Sequence, residues 1–249
     1  MLDTKLRISE IYCSLQGEGF LTETPSWFIR TSGCNLRCWF CDTPFASWHP
    51  EGEQLSHQEI LDKLDVHQAQ HVVLTGGEPL LPNSVVRLTE QLRERGFHIT
   101  IETAGTVFKP VACDLISISP KLASSTPLLD RLPIWVDASE HTLSRSELDA
   151  WSIRHERLRF RPDVIRNWIA EYTYQIKFVV DDLADCREIE AYLSFFPEID
   201  RRRVLMMPQG IDFAALSEKQ TWLEPYCEAH GLRFCPRKQI EWYGNKRGT

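Results

Sequence analysis

The chain has 249 residues, 43% of them hydrophobic, and its 28 basic and 35 acidic side chains leave a formal charge of −7. That is enough apolar material for one sizeable core in a single domain spanning 1–249, and the acidic balance argues against nucleic-acid binding and for small-molecule partners. No run reaches membrane-spanning length and residues 1–7 lack the apolar centre of a secretion signal, so a cytoplasmic, reducing setting is expected.

In chain order, short apolar runs rich in β-branched residues predict strands at 27–31, 71–75, 98–102, 114–119, 174–180, 204–208 and 232–235. Most lack polar alternation, which suits strands buried on both faces of a parallel sheet. Helical stretches fall between them. Ser56 predicts an N-cap for a helix over 59–64, and Val85, Leu88 and Leu92 recur at helical spacing until Gly96 stops the run. Residues 183–196 and 213–230 read as two more helices. Strand and helix alternating at this length imply an α/β fold, a βα barrel or part of one. The stretch 154–166 carries Arg154, Arg157, Arg159, Arg161 and Arg166. Such a run is usually a solvated face; the functional alternative is a docking patch for an acidic electron donor.

The densest chemistry is Cys34-Asn35-Leu36-Arg37-Cys38-Trp39-Phe40-Cys41, a spacing that lets one short loop aim three thiolates at a single iron-sulfur cube. Four cysteines would saturate a 4Fe-4S cluster, whereas three leave one iron free to bind a small molecule. The plainer readings are a structural zinc knuckle, for which His49 is the only nearby fourth ligand, a disulfide with a spare thiol, or three small buried residues. Free cysteines seldom cluster this tightly in a reducing compartment without a metal. Cys13, Cys113, Cys186, Cys227 and Cys235 are scattered singly and read as small buried hydrophobes.

The run 71–75 leads directly into Gly76-Gly77-Glu78-Pro79. Alone, a glycine pair after a strand is most often a turn. After a cysteine triplet, it resembles the radical S-adenosylmethionine (SAM) superfamily, where the glycines allow close approach of a ligand. A carbonyl edge or Glu78 would then hold the methionine ammonium, and the open iron would take the same moiety's amine and carboxylate. Leu15-Gln16-Gly17-Glu18-Gly19, Phe28-Ile29-Arg30, Cys41-Asp42-Thr43, Thr75-Gly76-Gly77-Glu78-Pro79, Glu102-Thr103-Ala104-Gly105 and Ser119-Pro120-Lys121 follow in order. This order, covering residues 11–210, resembles the 7-carboxy-7-deazaguanine synthase family.

The resemblance implies an incomplete βα TIM-type barrel of the radical SAM type, with a 4Fe-4S cluster, SAM and Mg²⁺ as cofactors. It implies that a reduced cluster cleaves SAM and that the resulting 5′-deoxyadenosyl radical takes a hydrogen from 6-carboxy-5,6,7,8-tetrahydropterin. Ring contraction and loss of ammonia would give 7-carboxy-7-deazaguanine, an intermediate toward queuosine. Residue by residue, it implies Cys34, Cys38 and Cys41 as cluster ligands. Leu15, Gln16, Gly17, Arg30 and Thr75 would surround the pterin, with Arg30 on its carboxylate. Phe40, Asp42, Gly77, Ser119, Lys121 and the strand end Met207, Pro208, Gln209 and Gly210 would surround SAM, and the Thr43 hydroxyl would bind Mg²⁺.

Each of these residues also has an ordinary reading: Thr43 as a turn hydroxyl beside Pro44, Arg30 in a surface ion pair, Lys121 as a solvated lysine. The partners implied are an acidic electron donor such as flavodoxin or ferredoxin and a second copy in a homodimer, with no direct nucleic acid and no membrane. Competing functions are a radical activase acting on a glycine of a partner protein, and a non-enzymatic electron carrier or zinc-stabilised module. The chain departs from the family pattern at its end. Cys235-Pro236-Arg237-Lys238-Gln239 and the residues to Thr249 stand in place of a Gln-Thr-His-Lys segment, so about 236–249 form an extension. Its Trp242 or Tyr243 is either a ring-stacking residue or a packing or dimer anchor.

Overall fold

A computed structural model describes residues 5–129, 131 and 143–249. The first strands, β1 (Lys5–Leu15) and β2 (Pro25–Thr31), are antiparallel, and β1 pairs on its other side with β3 (Glu53–Ser56). From β2 onward every pairing is parallel, through β4 (His71–Gly76), β5 (His98–Thr103), β6 (Leu115–Ile118), β7 (Tyr174–Val180), β8 (Val204–Pro208) and β9 (Arg233–Phe234). The order is β3-β1-β2-β4-β5-β6-β7-β8-β9, and the two edge strands do not pair with each other, so the barrel is incomplete.

Helices occupy the outer face: α1 (His57–Leu61), α2 (Val85–Glu94), α3 (Arg145–Arg159), α4 (Pro162–Glu171), α5 (Leu183–Phe195) and α6 (Phe213–His230); a short α7 (Lys238–Tyr243) lies on the cavity side. Ser56 caps α1 in a reciprocal box, its Oγ accepting from Glu59 N at 3.3 Å while Glu59 Oε2 accepts from Ser56 N at 2.7 Å. Helix α2 buries Val85, Leu88 and Leu92 and ends just before Gly96, as its spacing predicts. Among the described residues no helix is long and apolar enough to cross a membrane.

The parallel strands are not uniformly apolar. Side chains alternate across a strand, and one lane, with Ile29, Leu74, Ile101, Ile116, Ile118, Ile176, Phe178, Val204 and Met206, is fully buried in the core shared with α2, α4, α5 and α6. The other lane, with Arg30, Thr75, Glu102, Ser117, Lys177 and Met207, faces a cavity on the concave side. Elements that the apolar periodicity does not predict are β1, β3, α3, α4 and α7.

Trp168 of α4 closes the core: it is fully buried, its Nε1 donates to Val107 O at 3.2 Å, and its ring lies 4.6 Å from Phe108 and 4.9 Å from Tyr172. Trp168→Ala is expected to cost about 3–5 kcal/mol through lost burial and the cavity left behind. Chemical denaturation checks this; a loss under about 1 kcal/mol would mean that the site collapses without cost.

Candidate active site

The cavity, ≈ 590 Å³, lies at the C-terminal ends of the parallel strands. The loop that follows β2 brings Cys34, Cys38 and Cys41 to its wall, with Phe40, Asp42 and Thr43. Two backbone bonds hold this loop: Gly33 N to Ala46 O at 2.8 Å closes its ends on each other, and Glu78 N to Gly33 O at 2.9 Å ties it to the turn after β4. Gly77 fits beneath it. A Cβ there would lie 2.4 Å from Gly33 O and 2.5 Å from Ala46 O, both backbone atoms, so any side chain would lift the cysteine loop.

From outside, α3 props the same loop. The Arg37 N–H donates to His155 Nδ1 at 3.1 Å, and His155 Nε2 meets Ser125 Oγ at 2.9 Å. Burial pulls the His155 pKa down to about 4, so the ring is neutral near pH 7, and with Nδ1 accepting, its proton sits on Nε2. The Arg37 guanidinium donates to Cys34 O at 2.9 Å and Leu36 O at 2.8 Å and lies 3.9 Å from the Trp151 ring centroid. Cys41 Sγ sits 3.1 Å from Ser47 Oγ and 3.7 Å from Thr43 Oγ1. The Thr43 hydroxyl caps no turn, although it precedes the 3-10 turn Pro44–Ala46. Burial pushes all three thiols up, Cys38 to about 12.

On β2, the strand that leads into the cysteine loop, Arg30 is held by Glu10 at 2.6 Å and by the Tyr12 hydroxyl at 3.1 Å, and Tyr12 stacks on Phe28 with ring centroids 5.1 Å apart. Buried Gln16 donates to Ser26 Oγ at 2.9 Å. An ion network also lines the cavity. Lys177 Nζ reaches Glu18 at 2.5 Å and Glu102 at 3.2 Å, and Arg237 binds Glu18 at 3.1 Å, Gly210 O at 2.5 Å and Asp42. Burial drives the Glu18 carboxyl up, but the charges of Lys177 and Arg237 outweigh it and hold it at about 2. Lys121 donates to Ser119 Oγ at 2.7 Å.

Of the residues that the resemblance assigns to the cluster, SAM, the pterin and Mg²⁺, all line this one cavity except Pro208. Met207 and Pro208 are neighbours on β8, so when Met207 faces the cavity Pro208 faces the core. Glu78 does not line the cavity either. Its carboxylate accepts from Thr103 Oγ1 and Ala104 N at 2.9 Å and from Leu80 N at 3.2 Å. Burial pushes its pKa up to about 7. It ties the end of β4 to that of β5 and has no free edge for an ammonium. His49 and the Trp242–Tyr243 pair are also outside the lining.

The C-terminal wall comes instead from Arg237, Gln239, Ile240 and residues 244–249. Lys238 N donates to Gly17 O at 3.0 Å, and a Cβ on Gly17 would lie 2.6 Å from Gln239 N, so only glycine admits this segment. Arg247 bonds Glu10 at 3.1 Å, Glu51 at 2.9 Å and Ser9 O at 3.2 Å, with Phe45 beneath it at 3.9 Å. In the arginine-rich stretch, Arg159 pairs with Glu156 and Glu188 and Arg166 with Glu198, whereas Arg154, Arg157 and Arg161 are exposed.

The family model described as the radical SAM superfamily matches residues 28–146. A 7-carboxy-7-deazaguanine synthase of Rhodopirellula baltica is 46% identical over 249 residues, covering 99% of this chain and 90% of the relative. One from Halobacterium salinarum is 39% identical, covering 94% and 89%. Among solved structures, QueE from Escherichia coli matches with a TM-score of 0.60 at 22% identity over 94% of each chain, a likeness of fold.

Proposed function

Because the chain belongs to the 7-carboxy-7-deazaguanine synthase family, within the radical SAM superfamily, we propose that it converts 6-carboxy-5,6,7,8-tetrahydropterin to 7-carboxy-7-deazaguanine with loss of ammonia, as a cytoplasmic enzyme of one domain. The observation that carries this reading is that three free cysteines and the Arg30 guanidinium line one cavity. The donor set suits an iron-sulfur cluster, since three soft thiols on one loop leave an iron open for SAM. When bound, cluster and SAM supply the one-electron chemistry that starts hydrogen abstraction from the substrate.

The chain's own residues bind, orient and enclose. Cys34, Cys38 and Cys41 hold the cluster. Phe40, Asp42, Gly77, Ser119, Lys121, Met207, Gln209 and Gly210 surround SAM, and Leu15, Gln16, Gly17, Arg30 and Thr75 surround the pterin. Arg30 spends two of its five N–H donors on Glu10 and Tyr12, which fixes its plane and leaves the rest for a carboxylate. The glycyl-activase alternative gives no use for Arg30 or for the Gln16 loop. Anaerobic turnover of the carboxypterin with SAM and dithionite tests the reading; a fully cluster-loaded protein that makes no deazaguanine would overturn it.

Mg²⁺ would take the Thr43 hydroxyl and complete its shell with water and substrate oxygens, as a hard ion with few protein ligands does. The hydroxyl's freedom from capping supports this. Turnover is expected to rise with added Mg²⁺ in the wild type and to lose most of that response in Thr43→Val. Identical activation curves would remove Thr43 from the metal site.

An acidic one-electron donor such as flavodoxin or ferredoxin and a second copy of the chain are proposed as partners. The exposed Arg154, Arg157 and Arg161 suit the donor, and Arg154 lies over Trp151, which stacks on Arg37 of the cysteine loop. Reversing these three charges is expected to slow turnover with the protein donor and leave dithionite-driven turnover intact; equal losses would indicate a folding role. Sedimentation of the pure protein tests the dimer.

A further inference from the structure

Arg237 directly precedes α7, and its side chain lines the cavity and is 9% exposed. Its guanidinium reaches three separate segments. Nε donates to Glu18 Oε1 at 3.1 Å, in the loop after β1 that carries Gln16 and Gly17. Nη2 donates to Asp42 Oδ2, directly after the third cysteine, and Nη1 to Gly210 O at 2.5 Å, just past β8. Glu18 is fixed again from below by Lys177, itself anchored on Glu102, and from the side by Gln239 Nε2 at 2.5 Å.

A planar fork with three acceptors sets the spacing of all three segments at once. Two of them, at Asp42 and Gly210, belong to the proposed SAM side of the cavity, and the third, at Glu18, to the pterin side. We infer that Arg237 is a positioning residue that couples the two ligand sites, so that seating the pterin against the Gln16 loop orders the SAM side through Glu18, Arg237 and Asp42. This rests on the functional reading above. The coupling is a free energy shared between the sites and must be reciprocal.

The test is a pair of anaerobic titrations of cluster-loaded protein, SAM with and without saturating carboxypterin. In the wild type the pterin is expected to tighten SAM by about 5-fold or more, the lower range of ordinary couplings. In Arg237→Gln that ratio is expected to fall to near 1, and Arg237→Lys, which keeps the charge but loses the fork, is expected not to restore it. Iron and sulfide content report whether the variants fold and load. Asp42→Ala, which removes the side-chain acceptor of Nη2 and leaves only Gly210 O on the cofactor side, is expected to lose most of the same coupling even if Arg237→Gln loads poorly. A wild type without coupling, or variants that retain it, would overturn the inference alone. A wild type that binds no pterin would overturn the functional reading itself.

Discussion

Cys34→Ala, Cys38→Ala and Cys41→Ala are each expected to reduce SAM cleavage and pterin turnover to background. With one thiolate gone, two ligands cannot hold a cube that already has an open iron. Iron and sulfide per chain and visible absorbance after anaerobic reconstitution are the direct measurements. Cys113→Ala, outside the cavity lining, is expected to load normally. Burial raises all three thiols, so each must surrender a proton it holds tightly, and loading should improve as pH rises above neutral. A colourless wild type carrying stoichiometric zinc would refute the cluster assignment.

Arg30→Ala is expected to weaken pterin binding by roughly 30- to 4000-fold, the equivalent of about 2–5 kcal/mol for truncating one partner of a buried charge pair. SAM affinity measured without pterin should change by less than about 3-fold, because the proposed partner of Arg30 is the pterin carboxylate and not the cofactor. Arg30→Lys should recover only part of the loss, since an ammonium cannot give two parallel bonds to a carboxylate. Arg247 remains as a partner for Glu10 in both variants, which protects the fold from an unpaired buried carboxylate. Unchanged pterin affinity in a calorimetric titration would take Arg30 out of the substrate site.

The parallel strands are legible in the sequence because their core-facing lane is so apolar that the whole run reads as hydrophobic. The same signal hid the second lane. Gln175 and Lys177 sit inside the run Tyr174–Val180, and a lysine within a buried strand needs carboxylates near it; Glu18 and Glu102 are those carboxylates. Strand β1 carries an alternation, Leu6 and Ile8 inward with Lys5 and Arg7 outward, that only a search for half-solvated strands picks up. Helix α3 buries only Leu148 and His155, too little for an apolar stripe, so its local mark is the Ser144–Glu147 capping box. The cysteine loop and the glycine pair were legible because their chemistry is local. The C-terminal wall was not: its contacts span more than 200 residues and follow no local period.

Those distant contacts also set an order in time. Synthesis proceeds from low to high residue numbers at about 5–20 residues per second, so roughly 10–40 s separate the appearance of Cys41 from that of Arg237. During that interval the three thiols exist on a nascent chain with no Arg237 bridge and no Arg247 strap across Glu10 and Ser9. The segment that makes the ligands and the segment that encloses them are thus acquired separately, enclosure last. Until the last residues emerge, the cavity that the three cysteines line lacks the wall made by Arg237 and residues 244–249.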